Sequence, residues 1–513
     1  MRAESLGCYG HPVASTPNLD QFAREGTRFD QAHVSYTVCS QSRVSFMTGW
    51  PTHVRGHRTL WSLLHDWEPN LLKYFKSEGY SVKWWGKNDL LAPDAFNRSV
   101  TSAMSMGGPD NGPNTFDMHE EPGQYYSFLS EPVRGPTNST MDYNNVAAAI
   151  KWLATPEASE KPFTIFLPLL KPHPPYSAPE PWYSSVDPAS LPPLRKPDAP
   201  GKPDYHALIR RYRNLTSLDD AFFRKLHAVY LGSIAYSDFL FGLLLAAVEE
   251  NALASTTTIA VWADHGDYAG DYGLVEKWPS GLEDVLTRVP LLVRTPGGKM
   301  GQVVKTPVQL FDIVPTVLEI AGINLTHVQF GVSQLPQIMG KPGDESRAVF
   351  AEGGYATNEP RDFEGDGEDE NGGVGPPSGI YYPKMLQQQQ VPLSVCRAAS
   401  VRTMTHKLVM RTDPQAADHY SELYDLVRDP LEERNVYNVA AYDTVQGQLK
   451  EKLFLWYMQT SDVTPWLEDP RQGGWNPAAT SAGAPGAGRG AFFDVGADSI
   501  PGAVVYHDDA LSA

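Results

Sequence analysis

The chain has 513 residues, with 42 Lys and Arg against 60 Asp and Glu, a formal charge of −18, and 41% hydrophobic residues. That acidic balance excludes the basic surface a nucleic-acid partner requires, and the length suits one large catalytic unit beside something smaller. Three cysteines, Cys8, Cys39 and Cys396, are too few for a disulfide framework.

The opening residues, Met1-Arg2-Ala3-Glu4-Ser5, lack a basic segment followed by an apolar stretch, so the chain as written reads as cytoplasmic. The sequons at Asn97, Asn138, Asn214 and Asn324 matter only in a secreted protein. Thr16-Pro17 predicts a helix start with a capping threonine, and Gly26 its end. Glu68 to Glu78 reads as an amphipathic helix with Leu71, Leu72 and Phe75 on one face, followed by a strand over Tyr80 to Trp85. A helix is predicted over Asp142 to Leu153, then a fully buried strand over Phe163 to Leu170. A long helix follows over Leu218 to Glu249. Its apolar run, Phe239 to Val248, is roughly half of what a membrane-spanning helix needs, and no membrane span is expected. Further buried strands are predicted over Thr257 to Trp262 and Val289 to Val293, and a helix over Leu310 to Ala321.

Apolar strands alternating with helices predict an α/β fold built on a mostly parallel sheet covered by helices on both faces. Ligand groups then gather at the carboxyl ends of the strands. Residues 351–390 are acidic and Gly/Pro-rich and end in four glutamines, which predicts a flexible excursion between a catalytic region (1–350) and a smaller α+β subdomain (391–465). Within that subdomain, Ala399 to Met410 reads as two short strands and Ala440 to Tyr457 as a helix. Gly, Ala and Pro dominate the tail, 466–513, which is expected to be largely disordered.

Four clusters carry potential chemistry. Cys39-Ser40-Gln41-Ser42-Arg43 puts a cysteine at a helix start with an arginine one turn on, where the helix dipole and guanidinium favour negative charge; the plain alternative is a buried structural cysteine. Gly86-Lys87-Asn88-Asp89 offers an anion-binding lysine at a strand end, or a plain surface lysine. Lys171-Pro172-His173-Pro174-Pro175-Tyr176 carries His173 to the end of another strand, as a proton donor or as part of a rigid turn. Ala263-Asp264-His265-Gly266-Asp267, with Lys277 beyond it, is an oxygen/nitrogen metal site or an acidic turn.

In sequence and in order these clusters resemble the sulfatase family, which has an alkaline-phosphatase-like fold. So do Thr16-Pro17-Asn18-Leu19-Asp20, Met47-Thr48-Gly49, Arg288-Val289-Pro290, Asp312-Ile313-Val314-Pro315-Thr316 and Glu422-Leu423-Tyr424-Asp425-Leu426. The closing Asp429-Pro430 and Glu433 with Asn435 extend the similarity, which runs to about residue 470. The resemblance implies that Cys39 is oxidised to formylglycine by a formylglycine-generating enzyme, and that its hydrate attacks the sulfur of a sulfate monoester. It further implies a divalent metal, calcium above all, held by Asp264, His265 and the modified Cys39 side chain. Arg43 would hold the hydrated aldehyde, Lys87 and Lys277 would bind sulfate oxygens, and His173 would protonate the departing alcohol. A small-molecule or carbohydrate sulfate ester, aryl sulfates included, is the implied substrate.

The chain departs from the family pattern in three places. Gln41 stands where Pro or Ala is usual, which bears on recognition by the modifying enzyme. Asp89 stands where many members have histidine and becomes a candidate base. The family's opening apolar strand, which ends in acidic metal ligands, is not in the sequence, and an upstream coding segment carrying it is expected. A phosphonate monoester or phosphodiester hydrolase of the same superfamily, and a catalytically inactive relative, remain alternatives.

Overall fold

The computed structural model describes residues 1–104, 126–356 and 381–461, except 414 and 416. Its strands in chain order are β1 (Thr27–His33), β2 (Ser81–Trp85), β3 (Ser102–Met104), β4 (Phe163–Phe166), β5 (Ile259–Trp262), β6 (Arg288–Val289), β7 (Leu291–Arg294), β8 (Gln302–Gln309), β9 (Val349–Gly353), β10 (Ala398–Arg402), β11 (His406–Arg411) and β12 (Glu422–Asp425). The principal helices are α1 (Pro17–Glu25), α2 (Cys39–Thr48), α3 (Leu71–Ser77), α4 (Met141–Leu153), α5 (Asp220–Glu250), α6 (Ile313–Ala321), α7 (Tyr382–Gln390) and α8 (Asp443–Thr460).

Short polar side chains start several of these helices by accepting an otherwise unpaired N–H. Asn70 accepts from Lys73 at α3, Thr140 from Tyr143 at α4, and Asp219 from Phe222 at α5. Thr16 does not cap α1 as expected; its hydroxyl turns to Asp20 instead. Asp238 of α5 takes that task, accepting the Asn18 and Leu19 N–H groups at 3.2 and 2.7 Å. The Asn-Leu pair after Pro17 is therefore a docking point between two helices.

Strand alternation sends side chains to opposite faces, and both faces are covered. Leu291 and Val293 of β7 pack with Phe46, Phe75 and Val314 from α2, α3 and α6. Leu292 packs with Phe22, Tyr230 and Ile234 from α1 and α5. Helix α5 is long and apolar enough to cross a membrane by length and composition alone. Here it is a core helix, with Leu226, Tyr230, Ile234 and Leu240 fully buried.

The sheet departs from expectation. β3, β2 and β4 form a parallel three-stranded sheet. In the five-stranded sheet only β1–β8 is parallel, whereas β1–β6, β1–β7 and β5–β7 are antiparallel. A parallel neighbour needs a crossover of a dozen residues or more, usually helical. The link from β5 to β7 is mostly loop, with one short helix, Asp284–Thr287, and β7 returns antiparallel to β5. A mixed α/β fold is present, but it is not the mostly parallel sheet expected. β4 and β5 are also half-exposed rather than fully buried, because each ends its sheet with an edge unpaired among the described residues.

The C-terminal subdomain is an antiparallel sheet, β12-β11-β10-β9, packed on α8 through Val401, Leu408, Leu423, Leu453 and Trp456. Its sheet also takes in β9, from before residue 391. Residues 357–380 of the expected excursion and the tail 466–513 lie outside the described residues. The four glutamines, by contrast, end a helix in which Lys384, Met385, Gln387 and Gln388 are buried. A charged clasp binds the subdomain to the loop following β5. Asp284 meets Arg402 at 3.1 Å and Lys407 at 2.9 Å, and Lys407 meets Glu432 at 2.7 Å.

Candidate active site

Cys39 is the first residue of α2, reached through extended Val38, and is buried. Its sulfur lies 3.2 Å from His265 Nε2 and 3.9 Å from Lys87 Nζ. Burial pushes the thiol up, but Lys277, Lys87 and His265 outweigh it and leave the pKa below the usual thiol value. One turn along, Arg43 grips Asp264 Oδ2 with Nε at 2.9 Å and Nη2 at 2.8 Å. Burial disfavours the Asp264 carboxylate, yet His265 and Arg43 hold its pKa well below the ordinary value.

Gly86 lets β2 deliver Lys87. Its φ is +128°, and a Cβ there would meet Pro168 O at 2.3 Å, so only glycine allows this approach. Lys87 pairs with Asp89 at 2.8 Å. Burial lowers the lysine pKa, whereas Cys39 and Asp89 raise it further, and the lysine stays charged. Asp89 responds in the opposite sense: burial raises it, but Lys87 and Arg43 bring its pKa below the usual value. A lowered pKa weakens a carboxylate as a base near neutral pH, and the contact Asp89 makes here is with Lys87. It anchors Lys87.

His173 follows β4 and donates its Nδ1–H to Pro174 O at 2.7 Å, so in the neutral ring Nε2 carries the lone pair. Burial, then Lys87 and Lys277, hold its pKa well below the ordinary histidine value. His265 Nδ1 likewise donates to Gly266 O at 2.7 Å, and its Nε2 faces Cys39. Gly266 is fixed by packing: its N–H donates to Leu286 O at 2.7 Å, and a Cβ would meet Val285 O at 1.8 Å. Lys277 is buried with Nζ 2.7 Å from Glu276 Oε1. The Met1 amino group donates to His265 O at 2.5 Å.

The residues singled out in the sequence thus converge on one place. Cys39, Arg43, Lys87, Asp89, Asp264 and His265 form one contact network, and the charge of Lys277 acts on both Cys39 and His173. Missed were Tyr176, Asp267 and Glu276, whose link runs through space: the Tyr176 hydroxyl donates to Asp267 Oδ1 at 2.6 Å and accepts from Glu276 N at 2.8 Å. Tyr176 and Asp267 stood within motifs already in view, but Glu276 and the contact between them did not.

Ligand atoms of Cys39, Asp264 and His265 lie within 4.8 Å of one another. A carboxylate, an imidazole nitrogen and an oxygen at position 39 fit a divalent cation in kind. They form a partial shell, since calcium takes six to eight oxygens.

Comparison with known proteins places this geometry. Mouse iduronate 2-sulfatase is 29% identical over 320 residues, spanning 57% of this chain and 57% of its own length. An arylsulfatase of Clostridium perfringens is 25% identical over 369 residues, 65% of this chain and 75% of that protein. The phosphonate monoester hydrolase of Agrobacterium radiobacter superposes with a TM-score of 0.71 over 90% of this chain and 94% of its own, at 22% identity, a likeness of fold. The family model named Sulfatase matches residues 1–323, the stretch holding every residue of the site just described, and on that match the chain belongs to the sulfatase family.

Proposed function

We propose that this protein hydrolyses sulfate monoesters. The observation that carries the reading is the convergence of Lys87, His265 and the charge of Lys277 on buried Cys39, with Arg43 holding Asp264 beside it. Conversion of Cys39 to formylglycine would supply a hydrated aldehyde as oxygen nucleophile, and a divalent cation, calcium by family habit, held by Asp264 and His265 would supply Lewis-acid charge. Lys87 and Lys277 bind the sulfate oxygens and take up charge that grows in the transition state. Asp89 keeps Lys87 charged and in place. His173 is neutral at rest; the negative charge of bound sulfate raises its pKa, and the proton gained at Nε2 passes to the departing alcohol. Because Cys39 and Gln41 are buried in the first turn of α2, a modifying enzyme acts on this segment before it folds.

The mouse relative bears the name of a carbohydrate sulfatase, and a sulfated sugar or aryl sulfate is the substrate class proposed here. Side-by-side turnover of an aryl sulfate and an aryl phosphonate monoester tests the reaction. Faster sulfate hydrolysis is expected. Preference for the phosphonate would move the protein to its superfamily alternative, and turnover of neither by aldehyde-bearing protein would leave a binding role.

A further inference from the structure

The loop after β5 brings together the two groups that the proposed mechanism asks of it, Asp264-His265 at one end and Lys277 at the other. Between them the chain makes a tight excursion, closed by Tyr268 N–H donating to Glu276 O at 2.8 Å. Glu276 has φ of +62°, a left-handed conformation that costs a residue with a Cβ and persists only where its surroundings hold it. Lys277 is the next residue, so the direction of its side chain depends on that strained peptide.

Two sets of bonds hold Glu276. Its N–H donates to the Tyr176 hydroxyl at 2.8 Å. Its carboxylate, fully buried, takes Lys277 Nζ on Oε1 at 2.7 Å and Lys384 Nζ of α7 on Oε2 at 3.3 Å, with Arg213 Nη2 at 3.6 Å. Tyr176 is itself immobilised. Its N–H donates to Phe128 O and its carbonyl accepts from Ser130, while its ring stands edge-on to Phe128 and Tyr230. Its hydroxyl hydrogen goes to Asp267 Oδ1 at 2.6 Å, two residues from His265. Through Pro174 and Pro175 the same residue is the continuation of the His173 turn.

We infer that Tyr176 and Glu276 are positioning residues that fix Lys277 relative to Cys39, the Tyr176 hydroxyl joining the His173, His265 and Lys277 segments at one atom. The inference rests on the sulfate-binding role proposed for Lys277. Neither residue touches the ester; both act through the lysine. A phenylalanine at 176 would keep every apolar contact and lose both bonds, leaving the Glu276 N–H buried without a partner and the strained peptide free to relax.

A double-mutant cycle on an aryl sulfate tests it. Y176F alone is expected to lower kcat by about 10²-fold, the cost of misplacing a catalytic group by roughly 1 Å, with KM within about twofold. In the K277A background the same change should alter kcat by less than about threefold, since the lysine it acts through is gone. E276Q, which keeps the hydroxyl and the side-chain shape, is expected to give the same pattern and carries the test if Y176F fails to fold. Equal losses in both backgrounds, or no loss in either, overturn the inference. A crystal structure of Y176F gives a readout independent of the substrate: Lys277 Nζ is expected to move by about 1 Å or more while α2 and β5 stay in place. If wild-type protein hydrolyses no ester, the proposed function falls and the crystal comparison still decides; an unmoved Lys277 overturns the positioning role.

Discussion

Replacing Lys407 by methionine should be among the most destabilising single changes in the molecule. The ammonium lies between Asp284 Oδ1 at 2.9 Å and Glu432 Oε1 at 2.7 Å, and it is buried. Each attraction is worth about 6 kcal/mol gross at an effective dielectric of 20, most of it offset by desolvation. Removing one partner of a buried pair costs about 3–5 kcal/mol. Arg402 still serves Asp284 at 3.1 Å, whereas Glu432 loses its 2.7 Å ion-pair partner and keeps the Asp284 N–H at 2.6 Å, so a loss of about 4 kcal/mol is expected. At about 1 °C per kcal/mol for a chain of this length that is a fall of roughly 4 °C in Tm, read by scanning calorimetry at pH 7. Burial already raises the Glu432 pKa, and Lys407 opposes it. Without the lysine Glu432 protonates more readily, so the deficit should narrow at pH 5, and K407M/E432Q should recover part of it. In wild type, Lys407 has a raised pKa, so its contribution is complete below the unfolded lysine value and fades as pH climbs through the folded one. A Tm within about 2 °C of wild type at pH 7 would refute the reasoning about the clasp.

Lys277→Ala should cut turnover about 10²–10³-fold and also lower Tm, because buried Glu276 loses its 2.7 Å partner and keeps Lys384 and Arg213; steady-state kinetics beside a melting curve checks both. Only Cys39 should be found as an aldehyde by peptide mass spectrometry; Cys8 and Cys396, with thiols pushed up to about 12 and about 11 by burial, should be recovered as slowly alkylating thiols. Burial raises Glu4, but Arg195 and Arg2 bring its pKa down to about 2. Its stabilisation is therefore present above the unfolded value of 4.5 and lost as pH falls toward 2, so E4Q and wild type, compared by denaturant titration, should differ at pH 6 and converge in acid.

Where side chains of one kind recur at a fixed spacing, the sequence was readable. Asn70 to Ser77, Thr140 to Leu153 and the long helix α5 carry caps and apolar faces in the chain itself, and they fold where expected. The Cys39 to Arg43 turn and Asp264-His265 were legible because their chemistry is local. β1 and β8 were not: Arg28, Asp30 and Gln31, or Gln302, Lys305 and Gln309, break the apolar pattern, and these strands are held by a ladder between residues far apart in sequence. The four glutamines look solvated by composition, yet tertiary packing buries Gln387 and Gln388. Pro290 splits the expected strand over Val289 to Val293 into β6 and β7, since it has no N–H for the ladder. The role of Tyr176 depends on where Asp267 and Glu276 arrive, and no spacing rule reports that.

The bond from Gly266 to Leu286 has its own consequence. Asp267 N–H donates to Val285 O at 3.0 Å beside it, so the turn bearing Asp264 and His265 lies against the segment that bears Asp284, with no room for a side chain between them. Force applied at either segment reaches the other through main-chain atoms, which cannot turn aside as a flexible side chain can. A mutational screen scored on turnover alone would therefore credit Val285, Leu286, Arg402 and Lys407 to the catalytic centre. Scoring abundance in parallel would separate them, because changes there empty the folded population before they slow any chemical step.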